Sequence, residues 1–191
     1  MKYVLVFAAA ALLLSGCVNG VVSKNPLSSP KFAATDPRIE GLWRVNGLPG
    51  YYDYFAFGSH SYEGNNLFVQ FGNPGYLPTS NSTNFFVTRT KRHNYLNLNN
   101  DFERDANNAK PTLDQDDYTF LEYHFTNRGE LVLSWLSGDL FTKAIKDGRL
   151  QGNYSETYLT DSSAHILAFI EVSDPKQIFI PLWKFTRISA P

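Results

Sequence analysis

Apolar and polar residues alternate with a period of two in two segments, Tyr118–Phe125 and Glu130–Leu136. This period sends successive side chains to opposite faces of a strand, so each segment has one apolar face. The residues between the two segments, Asn127–Gly129, are typical of a tight turn and predict a β-hairpin. Each apolar face carries three large side chains: Leu121, Tyr123 and Phe125 in the first segment, and Leu131, Leu133 and Trp135 in the second.

Shorter apolar segments separated by turn residues recur along the chain at spacings of roughly 8–12 residues, which is typical of an all-β sandwich or barrel. Closure of a sheet into a barrel would also remove exposed strand edges. Together with the hairpin, the pattern predicts about eight strands. The other predicted strands are Gly41–Val45, Tyr51–Phe57, Leu67–Phe71, Thr83–Thr90, Asn94–Leu98 and Leu182–Ile188, with a further short one near residues 152–157.

Two segments in the C-terminal half have a helical period instead. The first begins at Ser137 and ends before Gly148, a residue that is favoured just past a helix C-terminus. The second runs over about residues 162–172, with capping residues at its start and Asp174-Pro175 to stop it. The residues expected to be buried are Leu140, Phe141, Ala144 and Ile145 in the first helix, and Ile166, Leu167, Phe169 and Ile170 in the second.

The N-terminus has the features of a secretory signal. Lys2 gives a basic start, and residues 3–14 form an apolar run shorter than the roughly 20 residues that span a bilayer. The run ends in Leu14-Ser15-Gly16-Cys17, which resembles the lipobox of bacterial lipoproteins. The resemblance implies that residues 1–16 are removed and that Cys17 is acylated.

Cys17 is the only cysteine, so the chain cannot form an intramolecular disulfide, and acylation would consume the free thiol. Two or more acyl chains anchor a protein stably, whereas one does not. The resemblance therefore implies a lipid anchor in a cell membrane. In a Gram-negative organism, Val18 after the cysteine fits sorting to the periplasmic side of the outer membrane.

The remaining chain has the length of one domain. Residues 17–37 are small, polar and rich in proline, which predicts a flexible tether, and residues 38–191 are expected to form the β-barrel domain. The chain has 17 Lys and Arg residues against 18 Asp and Glu residues, a balance that gives no reason to expect nucleic acid as a partner. Aromatic residues make up 15% of the chain and favour strands.

One constellation bears on the fold. Gly41-Leu42-Trp43 opens the first predicted strand, and Arg187 shares an apolar face of the last strand with Trp183 and Phe185. A guanidinium over an indole gains about 0.5–2 kcal/mol and can also bond carbonyls at the closed end of a barrel. These residues resemble the lipocalin and calycin signature. The resemblance implies an antiparallel barrel of about eight strands closed by Trp43 and Arg187. The two helices in the C-terminal half depart from true lipocalins, as does the lack of a Thr-Asp-Tyr motif.

The second half of the chain is more similar to a family of uncharacterised bacterial lipoproteins. The resemblance extends over most of residues 38–188 and implies a fold and a location in the cell envelope, but no reaction. The motifs that carry it are Gly148–Gly152, Leu159–Ser163, Leu167–Glu171, Ser173–Pro175 and Phe185–Arg187.

No catalytic or metal-binding constellation stands out, so neither an enzyme nor a cofactor is predicted. Ser137, His124 and Asp139 can be imagined as a triad, but any chain of this size offers such triples. The histidines are not spaced as metal ligands, and structural or surface roles are expected for them. They are His60, His93, His124 and His165.

The polar segment Asn99–Asp117 is long for a structureless connection, and such segments are often binding loops or lids. Its acidic residues Asp114, Asp116 and Asp117 offer oxygen ligands for calcium. They lack the glycine and the terminal glutamate of an EF-hand, so a solvated loop is favoured.

Two functions fit this pattern. The first is a binding protein that holds a small apolar ligand in the barrel, lined by Phe55, Trp135 and Phe185. The second is a structural or interaction lipoprotein whose core is filled by side chains, as small barrels allow, and which contacts a protein partner in the envelope.

Overall fold

The structure is a computed structural model that describes residues 20–34, 36–46, 54–59, 67–72, 81–99 and 117–189. The fold of these residues is mainly β. The strands are β1 (Val22–Ser23), β2 (Gly41–Val45), β3 (Tyr54–Ser59), β4 (Leu67–Gly72), β5 (Asn81–Arg89), β6 (Asn94–Asn99), β7 (Tyr118–Phe125), β8 (Leu131–Leu136), β9 (Gly152–Asn153), β10 (Tyr158–Leu159) and β11 (Phe179–Ser189). The α-helices are α1 (Gly138–Lys146), α2 (Ser163–Val172) and α3 (Pro175–Ile178), and Pro30–Phe32 is a 3₁₀ turn.

The strands belong to one sheet in the order β6-β5-β4-β3-β2-β11-β8-β7-β1-β10-β9. A further antiparallel pairing joins β6 to β7, so each strand from β2 to β8, and also β11, has a hydrogen-bonded neighbour on both sides. Beyond β7 the order continues through β1 and β10, and the sheet is open at β9 in the described part of the chain. The β1–β10 pair is parallel.

The prediction of a purely antiparallel barrel therefore holds only in part, because the sheet is mixed and ends at an open edge. The cause is the segment Val22–Ser23, which pairs in parallel with β10 and antiparallel with β7. A strand of two residues has no readable alternation, so nothing in the hydrophobic pattern could indicate it.

The predicted hairpin is confirmed. Tyr123 pairs with Leu133 and Phe125 with Leu131, so the two predicted apolar faces are one face of the sheet. That face belongs to a buried cluster, here called the Trp43 cluster: Ile39, Trp43, Val45, Phe55, Phe57, Phe85, Val87, Leu96, Leu121, Tyr123, Leu131, Leu133 and Phe185.

The opposite face of β5–β7 is also buried, because the helices and the N-terminal residues cover it. Its side chains join a second cluster, here called the Phe141 cluster. The members of this cluster include Val21, Leu27, Phe86, Tyr95, Phe120, Leu136, Phe141, Leu159, Ile166 and Ile170.

The helices begin and end where the sequence indicates. Ser137 and Ser162 cap α1 and α2 by accepting a hydrogen bond from the backbone N–H three residues on. Gly148 follows α1 with φ of +70°, which suits a glycine just past a helix. The count of two helices was too low, because Asp174 accepts a hydrogen bond from the Lys176 N–H and so starts the short helix α3.

Residues 20–34, here called the N-terminal arm, pack on the sheet. Val21 and Leu27 are each only 2% exposed, and Ser23 is fully buried. Asn25 Nδ2 donates to the carbonyl of Asp161 at 2.8 Å, which ties the arm to the loop before α2. The expectation of a flexible tether over residues 17–37 is therefore wrong for the arm, and the folded domain begins well before residue 38.

Asn97 holds this arm in place and gives a first prediction. The buried Asn97 side chain accepts from the Leu27 N–H at 2.7 Å and donates to Thr88 Oγ1 at 2.8 Å. Asn97→Ala would leave the buried Leu27 N–H unpaired, and we expect it to lower the free energy of unfolding by about 2–3 kcal/mol. Amide exchange should become faster in Val22 and Leu27. The exposed turn variant Asn127→Ala is the control, and unchanged exchange in Asn97→Ala would contradict the prediction.

Candidate functional site

Trp43 and Arg187 occupy directly paired positions on β2 and β11. The Arg187 guanidinium carbon lies 4.9 Å from the Trp43 ring centroid, and the indole is only 1% exposed. Arg187 Nη2 also donates to the carbonyls of Arg38 at 2.7 Å and Glu40 at 2.6 Å. The indole N–H donates to the carbonyl of Ile39 at 2.7 Å. The two side chains therefore fasten residues 38–40 across this end of the sheet, here called the Trp43 end.

A buried carboxylate completes this end. Asp36 is 1% exposed, and Oδ2 accepts from Arg38 Nη2 at 2.7 Å and from the Tyr123 hydroxyl at 3.0 Å. Arg89 Nη2 lies 3.3 Å from the same oxygen. Burial alone would raise the pKa of Asp36, but the hydrogen bonds from Arg38 and Tyr123 outweigh it and hold the pKa below its ordinary value. Asp36 is thus an anion held between two cations.

Two of the three predicted ligand-lining residues lie deep in the Trp43 cluster. Phe55 is 2% exposed and Phe185 is fully buried, and their rings meet edge-on with centroids 4.8 Å apart. The Trp183 ring packs against Phe55 at 5.0 Å. Phe55 and Phe185 are therefore in contact with other aromatic rings and present almost no surface to a ligand.

The third predicted residue, Trp135, is different because it is only partly buried. Trp135 pairs directly with Ile180 of β11, which is 37% exposed. Leu182 and Trp183 of β11 are also partly buried and pack against the same cluster. These four side chains define the other end of the sheet, here called the Trp135 end. The alternation along β11 places Trp183 on the apolar face. Leu182 could not be assigned to this end in the same way, because the strand has a bulge between Pro181 and Trp183.

A group of polar residues on the other face of the sheet was not expected. Glu122 is 5% exposed, and its Oε1 lies 3.3 Å from His124 Nδ1 and 3.8 Å from His93 Nδ1. The sequence signal was the spacing of Glu122 and His124, which places both on one face of an otherwise apolar strand.

Close to this group, hydrogen bonds to Glu171 join a helix to the sheet. Glu171 of α2 accepts hydrogen bonds from the Tyr95 hydroxyl at 2.7 Å and from Thr90 Oγ1 at 3.1 Å. Arg92 Nη1 donates to the Glu171 carbonyl at 2.8 Å. Burial and the Glu171 carboxylate raise the pKa of the Tyr95 hydroxyl, which stays protonated as a donor. These bonds fasten α2 to the turn between β5 and β6.

The imagined triad is not assembled. Ser137 Oγ accepts from the Leu140 N–H as a helix cap, His124 pairs with Glu122, and Asp139 is exposed at the start of α1. Of the loop considered for calcium, Asp114 and Asp116 lie outside the described residues, as do His60, Cys17 and the signal segment. Asp117 accepts from the Tyr158 hydroxyl at 2.9 Å. Within the described ranges, no three His, Cys, Asp or Glu side chains are grouped to hold a metal ion.

Comparisons of this chain with models of protein families, with curated proteins and with solved structures gave no match. Among the helices that the structure describes, none has the length and apolar character that crossing a membrane requires.

Proposed function

We propose that this chain is a membrane-anchored lipoprotein of the cell envelope that binds a small apolar ligand at the Trp135 end of a calycin-like barrel. Three features support the proposal. The sequence Leu14-Ser15-Gly16-Cys17 resembles a lipobox. Eight strands each have two hydrogen-bonded neighbours, as a barrel requires. The contact of Arg187 with Trp43 and with two backbone carbonyls matches the way a calycin closes one end.

The observation that carries the ligand proposal is the difference in burial between the two ends. At the Trp43 end, the indole of Trp43 is 1% exposed and the Phe185 ring is fully buried. At the Trp135 end, the large apolar side chains that pack against this cluster remain partly accessible, whereas the partly buried Phe125 ring at the Trp43 end lies under the Arg38 guanidinium at 4.9 Å. Aromatic side chains that are left partly exposed are frequent contacts for apolar ligands. A ligand would therefore contact Trp135 and Trp183, and would not reach Phe55 or Phe185.

The second candidate is a lipoprotein with a filled core that acts by contacting another envelope protein. The close packing of Phe55 against Phe185 and Trp183 favours it, because these rings fill the space that a deep ligand would need. In this case the exposed side chains at the Trp135 end would be part of a protein interface.

Native mass spectrometry with a binding titration separates the two candidates. A chain starting at Gly20, purified gently from a bacterial host, should carry an extra apolar mass and should bind lauric acid. Trp135→Ala should weaken lauric acid binding by about tenfold, since removal of a contacting aromatic side chain costs about 1–2 kcal/mol. Tyr154→Ala is the matched control, because Tyr154 is 55% exposed and lies outside the Trp43 cluster.

A clean apo mass with no detectable lauric acid binding would refute the ligand proposal and favour the filled-core candidate. Photo-cross-linking from position 180 of the full lipoprotein in cells would then test that candidate. A specific cross-linked envelope protein would support it, and the absence of any cross-link would count against it.

A further inference from the structure

We infer that the Trp135 end of the sheet docks on the surface of the lipid bilayer. The inference rests on the proposed acylation of Cys17 and adds an orientation to it. The Trp135 end would contact the boundary between headgroups and acyl chains of the membrane that holds the anchor.

The chain between the proposed anchor and the described fold is short. A Cβ atom built on Gly20 would lie 3.9 Å from Cζ3 of Trp135, so the backbone enters the domain beside that side chain. Cys17 is three residues earlier in the sequence. Three residues span at most about 11 Å, so the acyl chains proposed on Cys17 would be attached within that distance of the Gly20 backbone.

Burial and strand pairing hold the N-terminal arm in this position. Val21 is buried, and Val22–Ser23 pairs with β7 on one side and with β10 on the other. The Leu27 N–H donates a hydrogen bond to Asn97 Oδ1 at 2.7 Å. The anchor therefore joins a rigid part of the domain and fixes which end faces the membrane.

The two ends of the sheet carry different side chains. The Trp135 end presents the partly buried Trp135 and Trp183 with the exposed Ile180, and tryptophan favours the boundary between headgroups and acyl chains. At the Trp43 end, the side chains of Arg38 and Arg89 are 60% and 44% exposed. Ile188 beside Arg187 is also exposed, so exposed aliphatic side chains do not distinguish the two ends. The two partly exposed tryptophans lie at the Trp135 end and the arginines lie at the Trp43 end, which suits a domain that stands on the membrane on its Trp135 end.

The test uses the full lipoprotein with single introduced cysteines. Acylation consumes the thiol of Cys17, the only native cysteine, so a second cysteine can be labelled selectively. Ile180→Cys places an environment-sensitive fluorophore at the Trp135 end. Arg128→Cys is the control, because Arg128 is exposed in the turn between β7 and β8, at the opposite end of that hairpin from Trp135. Each protein is reconstituted in vesicles of phosphatidylethanolamine and phosphatidylglycerol with brominated acyl chains.

We expect brominated lipid to remove most of the emission at position 180 and none at position 128. Extraction into detergent should restore the emission. Emission that stays quenched after extraction would show a bound lipid molecule as the quencher, which overturns the docking inference and supports the ligand proposal. Unquenched emission at position 180 of a triacylated, vesicle-bound protein would overturn the docking inference and leave the proposed function intact. A protein whose Cys17 mass shows no acyl group would overturn both.

A second variant covers the case in which the label at position 180 disturbs folding. In the unlabelled lipoprotein, brominated lipids should quench the intrinsic tryptophan emission, and replacing both Trp135 and Trp183 with phenylalanine should remove most of that quenching. Trp43, which is buried at the other end, is then the remaining emitter. Fractional quenching in this double variant equal to that of the native protein would contradict the inference.

Discussion

Replacing Arg187 with methionine is expected to lower the free energy of unfolding by about 3 kcal/mol. Methionine keeps an apolar stem over Trp43 but removes the donors to the carbonyls of Arg38 and Glu40. Hydrogen bonds from a charged group contribute about 1.5–3 kcal/mol, and the contact with the indole adds about 0.5–2 kcal/mol. In a chain of this size the Tm should fall by about 6–12 °C. Thermal and urea unfolding would measure both values.

Two further variants make this result specific. Arg187→Lys keeps the charge but lacks the planar guanidinium, so it should recover no more than about half of the loss. Arg44→Met is the control on the same strand pair, because Arg44 is exposed on β2 and pairs with Thr186. We expect Arg44→Met to change stability by less than about 0.5 kcal/mol. Equal effects of Arg44→Met and Arg187→Met would contradict the role given to Arg187.

Replacing Asp36 with asparagine is expected to cost about 2–3 kcal/mol, because the variant loses charge-assisted hydrogen bonds from Arg38 and Tyr123. Asp147→Asn is a closely matched control. Asp147 also faces two cations, Lys143 and Arg149, but it is exposed, so its loss should change stability by less than about 0.5 kcal/mol. Chemical denaturation of both variants at neutral pH would measure the difference.

The effect of Asp36 should also depend on pH. The pKa of Asp36 is lowered in the folded protein, so this carboxylate stabilises the fold above its unfolded pKa near 3.8. The stability that this carboxylate contributes is lost as the pH falls below the unfolded pKa and through the folded pKa. The stability difference between the native chain and Asp36→Asn should therefore be largest above about pH 5 and shrink toward pH 3. A constant difference over this range would show that the Asp36 charge does not contribute.

The parts of the fold that could be predicted from sequence are the longer segments whose apolar residues all lie on one face. The β7–β8 pairing follows from the alternation of Leu121, Tyr123 and Phe125, and the start of α1 from Ser137. The pairing of Trp43 with Arg187 could be predicted because an arginine on the apolar face of β11 needs a partner. In each case a local signal and the tertiary contact agree.

The features that were missed depend on contacts between distant parts of the chain. The polar composition of the N-terminal arm is typical of a tether, and the residues that hold it lie far along the chain, among them Asn97, Asp161 and the strand β7. Asp36 lies in the same polar segment as its partner Arg38, but nothing local shows that Tyr123 and Arg89, far along the chain, also contact it. Burial on the second face of β7 follows from the helices and arm that cover it, which the alternation of one strand cannot show.

The pairing of β2 with β11 has a consequence for how the chain folds. The Thr186 hydroxyl donates to Asn46 Oδ1 across 140 residues of sequence, so the first long strand is completed by the last. Contacts of such separation slow folding, since a long loop must be ordered before they form. The edge of β2 would stay open until β11 emerges, and an open edge is prone to aggregation. Synthesis would therefore leave the sheet incomplete, with the edge of β2 unpaired, until the final strand arrives.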